Sequence, residues 1–382
     1  MVTGSRAEYG LLEPVLHKIE ASHALELQLI VTGAHLLPEF GSTVEDIRQA
    51  GFKIDRLISE ITSAASGADV SRQIGAGTIA FTDALEALAP DAVLLVGDRY
   101  ELLAPTLASF FLNIPIVHVH GGEITNGAFD DAIRHAISKF SQLHAVAAPE
   151  YAARLIRAGE NPDSVAVVGG LGVDAVGNYE KLTREQLEAQ LGIPLGHRLL
   201  LVTYHPVTAD EHDTMAEIRS IVAALSSFPE MTVIFTLPNA DPENKLISEV
   251  LTGATSENKK WHMFSSLGTQ KYLSLLSYAS AVIGNSSSGL LEAPALRVPT
   301  VNIGPRQSGR IQAPSVLSCG TSRREIESAI SIVLTSDFLS SFEGMETPYG
   351  GVGASDKIIS LLESTAFGSL GYKKYWDEPE SD

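Results

Sequence analysis

The chain has 382 residues, 45% hydrophobic and 19% charged, enough for two domains that each bury a core and too apolar for a largely disordered chain. With 27 Lys and Arg against 46 Asp and Glu, the net charge of −19 argues against nucleic acid and anionic membrane surfaces as partners, because both select basic faces. The lone cysteine, Cys319, cannot form an internal disulfide, which fits a reducing cytoplasm.

From the N-terminus, only Met1, Val2 and Thr3 precede a Gly turn, so the first strand is expected to be short. No basic stretch followed by an apolar core opens the chain, and no targeting segment is expected. Continuous apolar runs then mark strands at 25–32, 92–97, 114–119, 144–148 and 164–170. Amphipathic segments at 8–21, 43–50, 71–89, 101–112, 130–142 and 149–158 mark helices between them. The apolar stretch from Leu102 to Val119 is interrupted by Pro105, Asn113 and Pro115, which predicts helix, break and buried strand rather than a membrane span. Residues 177–197 are more polar and read as a helical connector. The alternation resumes with strands at 199–206, 232–239, 262–266, 281–287 and 299–304. Strands that are apolar throughout, separated by helices, predict an α/β protein with two doubly wound, parallel-sheet, Rossmann-like domains facing a cleft. The expected partition is 1–176, a connector at 177–197, 198–365, and a C-terminal segment with an acidic, frayed tail at 366–382.

In such sheets ligands bind beyond the carboxyl ends of the strands, so the polar residues following each run are the candidates. TGSRAEYG (3–10) places Arg6 at a Gly turn entering a helix, where a guanidinium and helix N–H groups suit a phosphate oxygen; an ordinary turn with a surface Arg is the alternative. VGDRYE (96–101) supplies Asp98 and Arg99, open also to an ion pair or a helix cap. HVHGGEITNGAFDDAIRHA (118–136) supplies Glu123 after two glycines that permit close backbone approach, then Asp130 and Asp131 at a helix start, where Asp130 can equally be a cap. Asp98, Glu123 and Asp131 in one partly desolvated cleft raise one another's pKa, which suits proton transfer. A metal is the competing reading, but no His or Cys cluster stands at ligand spacing and no metal is expected. The second half offers His205, Asn239, the loop GNSSSGLLE with Ser286, Ser287 and Glu292, and Arg306. A Gly-Ser loop running into a helix can cradle phosphate, and Glu292 can accept both ribose hydroxyls. The P-loop and dinucleotide fingerprints are absent. Cys319, His17, His23, His144 and His262 are expected to have no site role.

Taken together, TGSRAEYG, VTGAHLLPEFG, GDRYE, HVHGGE, DDAIRH, GNSSSGLLE and NIGPRQSGR resemble, in order and spacing, the hydrolysing UDP-N-acetylglucosamine 2-epimerases of sialic acid synthesis. The resemblance runs from Thr3 to about Trp376 and extends to the epimerase half of the animal bifunctional enzyme, with no room for a kinase half. It implies a GT-B-like fold, a cytoplasmic homodimer or homotetramer, a UDP-sugar substrate and no cofactor. The implied reaction converts UDP-GlcNAc and water to ManNAc and UDP, by elimination to a glycal and rehydration with inversion at C2. By position, the resemblance makes Asp98, Glu123, Asp130, Asp131 and His205 catalytic. It makes Arg6, Arg99, His205, Asn239, Ser286, Ser287, Glu292 and Arg306 UDP-binding, with His205 as imidazolium and Arg6 meeting the departing diphosphate. Gly10 departs from the animal enzyme, which has a side chain there at its nucleotide site. The stretch after Asn239 lacks the paired arginines of that enzyme's CMP-sialic acid feedback site. The family's first strand also carries several more residues. UDP-N,N′-diacetylbacillosamine is the alternative substrate, the non-hydrolysing epimerase an alternative within the fold, and a GT-B glycosyltransferase or a nucleotide-sugar sensor the alternative classes.

Overall fold

The computed structural model describes residues 1–38, 41–62, 66–125, 129–206, 213–237 and 244–377. Two compact units emerge: Met1–Asp174 closed by Val352 onward, and Ala175–Gly351 joined by the short stretch after Glu123. Every paired strand is parallel, as crossover helices between strands require.

The first unit runs β1 (Val2–Thr3), α1 (Arg6–Ala21), β2 (Ile30–Thr32), α2 (Val44–Gln49), β3 (Arg56–Ile58), α3 (Gly67–Leu88), β4 (Val93–Val96), α4 (Leu103–Phe111) and β5 (Ile116–Val119). It continues through α5 (Phe129–Phe140), β6 (Leu143–Val146), α6 (Pro149–Arg157), β7 (Val165–Val167) and α7 (Leu171–Asn178), across which the unit boundary falls. The strands form ladders ordered β1-β2-β3 and β4-β5-β6-β7, with β1 in contact with β4. Alternation along β4 shows why the run is apolar throughout. Val93 and Leu95 enter a core with Phe81 and Leu85 of α3, whereas Leu94 and Val96 enter one with Leu12 and Leu16 of α1. The expected strand over 25–32 pairs only at Ile30–Thr32, because the two-residue β1 supplies too short an edge. The break after α4 falls at Asn113, whose φ is +56°.

The second unit contains α8 (Arg184–Leu191), β8 (Leu199–Thr203), α9 (Thr214–Leu225), β9 (Thr232–Thr236), α10 (Asn244–Glu257), β10 (Trp261–Phe264), α11 (Gly268–Tyr278) and β11 (Ala281–Gly284). It ends with α12 (Glu292–Ala295), β12 (Thr300–Ile303), β13 (Val316–Cys319), α13 (Arg323–Val333) and α14 (Ser336–Ser341). Its sheet is ordered β10-β9-β8-β11-β12-β13, with the central β8 buried along its whole length.

Two differences from the sequence reading have physical causes. Edge strands β3 and β13 were not anticipated, because each is covered on one side only and carries polar residues, so neither reads as an apolar run. The last helix, α15 (Ala354–Ser364), belongs to the first unit although the sequence partition carried the second domain to residue 365. Its Ala354, Ile358 and Leu362 complete the core under α1. Asp174 fixes that return by accepting from the amides of Gly353 at 2.6 Å and Ser355 at 2.9 Å. Beyond α15 the chain stays on the first unit, where Trp376 donates its amide to Gly159 O and Lys373 pairs with Glu160 at 2.6 Å. The acidic tail from 378 lies outside the described residues. Among the described residues, no helix is long and apolar enough to cross a membrane.

Candidate active site

In the first unit the candidates sit where β1, β4 and β5 end. Ser5 caps α1 by accepting from the Glu8 amide, and the Glu8 carboxylate reaches back to the amides of Gly4 at 2.7 Å and Ser5 at 3.1 Å. This capping box occupies the Gly4, Ser5 and Glu8 amides, part of the N–H set at the turn where the sequence reading placed a phosphate. Arg6 stands beside it at the first helical position; burial lowers its pKa, opposed by Asp46. Glu8 itself is pushed up to about 7, by burial first and the neighbouring Glu101 carboxylate second, against the Gly4 amide and Arg99.

Asp98, Glu101, Glu123 and Asp131 each have a basic side chain beside them. Asp98 is ion-paired with Arg134 of α5, whose side chain is buried. Arg99 faces Glu101, with Nε 3.2 Å from both carboxylate oxygens and Nη2 3.1 Å from one, so the pair is the ion-pair alternative open at Arg99. Glu123, 2% exposed, accepts from His120 Nδ1 at 2.7 Å, and the other ring nitrogen of His120 lies 3.4 Å from the Leu171 amide. Asp131 lies one turn before His135, 3.7 Å away, and Asp130 precedes it in the first turn of α5. Asp98, Glu123 and Asp131, expected as one cluster, thus each have a basic side chain beside them.

His120 and Arg134 were missed by sequence reasoning, although both lie inside quoted motifs. The signal for His120 was its place three residues before Glu123 in HVHGGE. It sits at φ +64°, a backbone region costly for a side chain with Cβ. The space beside the two glycines of that motif is filled by protein. A Cβ at Gly121 would lie 2.9 Å from Ser138 Oγ, and one at Gly122 would lie 2.5 Å from Tyr151 O.

His118, fully buried, bridges Gly97 O from Nε2 at 2.8 Å and Ser138 Oγ from Nδ1 at 3.0 Å. Burial drives its pKa to about 3, only partly offset by the Gly97 carbonyl, so the ring is neutral. A neutral ring bonded to the carbonyl must donate from Nε2 and accept at Nδ1, and this bond holds the residue immediately before Asp98. His144, expected to have no role at the site, instead joins Lys139 and Lys373 around buried Glu160.

In the second unit Asn285 organises the site, and no sequence signal beyond its place in GNSSSG marked it. Its side chain accepts from the His205 amide at 2.7 Å and donates to the His205 carbonyl at 2.8 Å. Its own carbonyl accepts from Arg306 Nη1 at 3.0 Å and Gln307 Nε2 at 2.8 Å. His205, Arg306 and the Ser loop are thereby tied to one buried amide. The loop passes close to β8: a Cβ on Gly284 would lie 1.9 Å from Thr203 O. Beyond it, Ser286 caps a single 3-10 turn, Ser287–Gly289, and Glu292 opens the four-residue α12. The helix after the loop is thus about a single turn. Tyr272 donates to Ser288 Oγ at 2.7 Å, which fixes that turn from α11. Asn239 lies outside the described residues.

Two α/β units with parallel sheets, carrying acidic and basic side chains at their strand ends, are the architecture of a GT-B-like fold. The family model described as UDP-N-acetylglucosamine 2-epimerase matches residues 17–363, and the chain belongs to that family: it is a UDP-sugar 2-epimerase. It is 41% identical over 318 residues to the GDP/UDP-N,N′-diacetylbacillosamine 2-epimerase (hydrolyzing) of Campylobacter jejuni, covering 83% of each chain. It is 32% identical to the polysialic acid biosynthesis protein P7 of Escherichia coli, covering 99% of this chain and 97% of that one. The fold matches the crystal structure of UDP-GlcNAc 2-epimerase from Neisseria meningitidis bound to UDP-GlcNAc, with a TM-score of 0.80, 22% identity and coverage of 95% and 99%.

Proposed function

We propose that this epimerase is of the hydrolysing type and acts on a UDP-2-acetamido sugar in the cytoplasm, releasing UDP and the free 2-epimer. The observation that carries the chemistry is the Glu123–His120 pair, a carboxylate 2% exposed whose geometry a histidine fixes at 2.7 Å. In this reading Glu123 removes the C2 proton. The C1–O bond to the diphosphate breaks, a C1=C2 glycal forms, and water then adds hydroxyl at C1 and a proton at C2 on the opposite face. Asp98 and Asp131 handle the water and the returning proton, with Asp130 beside them. The charge of Asp98 is already met by Arg134, which supports Glu123 over Asp98 as the base. Ser286, Ser287, Glu292, Arg306 and Asn239 serve the nucleotide. Arg6 and His205 counter the charge that develops on the leaving diphosphate, while Arg99 acts through Glu101. No oxidation state changes, so the reading calls for no redox cofactor.

Between the two substrates, the identity to the diacetylbacillosamine enzyme, 41% against 32% for the polysialic acid protein, favours the 4-acetamido-6-deoxy sugar over UDP-GlcNAc. Proton NMR in D₂O with each substrate decides. Free 2-epimer carrying deuterium at C2, together with UDP, supports the hydrolysing reaction, and the faster substrate identifies the sugar. Product still attached to UDP would overturn the hydrolysing reading, and faster turnover of UDP-GlcNAc would overturn the substrate preference.

A further inference from the structure

Helix α5 carries three groups of the first-unit site on one stripe. Asp131, Arg134 and Ser138 stand three and four residues apart, which places them on a single helix face. Arg134 and Ser138 are buried, 1% and 2% exposed. Arg134 pairs with Asp98, while Ser138 Oγ lies 3.0 Å from His118 Nδ1, and the other nitrogen of that ring donates to Gly97 O at 2.8 Å. Two tethers, one turn of α5 apart, thus hold the adjacent residues Gly97 and Asp98 just after β4. A Cβ on Gly121 would lie 2.9 Å from the same Ser138 hydroxyl, so Ser138 also abuts the loop that leads to Glu123.

The end of that stripe is held from the far end of the chain. In the segment after α15, Tyr372, Lys374 and Tyr375 are exposed, but Lys373 turns inward, its side chain 14% exposed. Its ammonium donates to Ser138 O at 2.5 Å and to Ser141 O at 2.6 Å. These carbonyls close the C-terminal end of α5, where a cation also meets the negative end of the helix dipole. Glu160, 1% exposed, pairs with the ammonium and is itself held by Lys139 and His144. Beyond Lys373 the Trp376 amide donates to Gly159 O, and Lys139 lies over the Tyr375 ring at 4.8 Å. Burial lowers the pKa of Lys373 to about 8 against the opposing effect of Glu160, so the ammonium is charged at neutral pH. Ser138 therefore accepts from Lys373 at its carbonyl and donates to His118 from its hydroxyl.

We propose that Lys373 is a positioning residue of the active site: it anchors the end of α5 and, through Ser138 and His118, fixes where Gly97 and Asp98 stand. The inference rests on the roles given above to Asp98 and Asp131. Both groups move with α5, one as its own residue and one through its tethers. A displacement of about 1 Å at reacting groups can cost on the order of 10²-fold in rate.

Steady-state kinetics and backbone amide NMR of the full chain test this, with circular dichroism confirming the fold. Lys373→Met and Ser138→Ala are each expected to lower kcat by roughly 10–100-fold, with KM and UDP affinity unchanged because neither residue is assigned to the substrate. Since the two act in series, the double variant should be no slower than the slower single one. The Gly97 and Asp98 amide resonances should shift in both variants. A lower denaturation midpoint with kcat and these resonances unchanged would make Lys373 a structural anchor only and overturn the proposal. Losses that multiply in the double variant would overturn the path through Ser138. A wild type that turns over no UDP-sugar would instead overturn the functional reading, and shifted Gly97 and Asp98 resonances would still support the tether.

Discussion

At Glu123 the chemistry depends on which groups surround the carboxylate. A glutamate beside a histidine has its orientation set by that ring, and His120 Nδ1 lies 2.7 Å from Glu123. Replacing Glu123 by Gln preserves the shape and a hydrogen-bonding oxygen while removing the proposed base. Turnover is expected to fall by about 10²–10⁴-fold, with UDP affinity unchanged by calorimetry because the proposed role of Glu123 is at the sugar and not at the nucleotide. A variant that keeps its turnover would transfer the role to another carboxylate. Asp98, Glu123, Asp131, Ser286 and Arg306 became candidates because each stands within a few residues of a strand end or in the first turn of the next helix. Their partners were less so. Arg134 and Asn285 are each buried, yet in the one-dimensional pattern they are ordinary polar residues within a helix and a loop.

Glycines decide how closely the elements approach. Gly284 ends β11 at φ +137°, and a Cβ there would fall 1.9 Å from the Thr203 carbonyl of β8. Gly284→Ala should therefore cost at least about 3 kcal/mol, read as a lower denaturation midpoint or loss of soluble protein. Gly253, exposed inside α10 with nothing near its absent Cβ, is the control: Ala there should stabilise by about 0.5–1 kcal/mol. Equal effects of the two substitutions would contradict the assigned backbone. From the sequence both glycines were merely permissive; the neighbouring strand makes one obligatory. The same distinction separates the buried strands, which periodicity found, from edge strands β3 and β13, which it did not.

For the whole molecule, buried imidazoles set the response to acid. Burial lowers His35, between Thr3 and Thr43, to about 4, and His118 to about 3, from the ordinary 6.5. Between pH 6.5 and those values the unfolded chain binds protons that the folded chain does not, so stability falls as pH falls. Glu8 acts in the opposite sense. Raised to about 7, it keeps a proton in the folded state that the unfolded chain has lost, and its contribution declines as pH rises from 4.5 to 7. Two imidazoles outweigh one carboxyl, so a net loss of several kcal/mol is expected between pH 6.5 and 4. Below pH 4.5 Glu160 adds to it: burial would raise its pKa, but hydrogen bonds from His144, Lys139 and Lys373 hold it at about 2. Urea denaturation from pH 7.5 to 4 should show a falling midpoint, and a flat or rising one would contradict neutral burial of these rings.

Hydrophobic periodicity alone established two parallel α/β halves and the strand ends where polar residues gather, because a strand covered on both faces must be apolar along its length. Local order could not say which charges neutralise which. That Asp98 meets Arg134 and Asn285 gathers His205 and Arg306 follows from contacts between segments well separated in the chain, whereas His120 meets Glu123 three residues on, within one turn. Tertiary packing also returned α15 to the first unit, since its apolar stripe fits the core under α1 and sequence proximity to α14 carries no such preference.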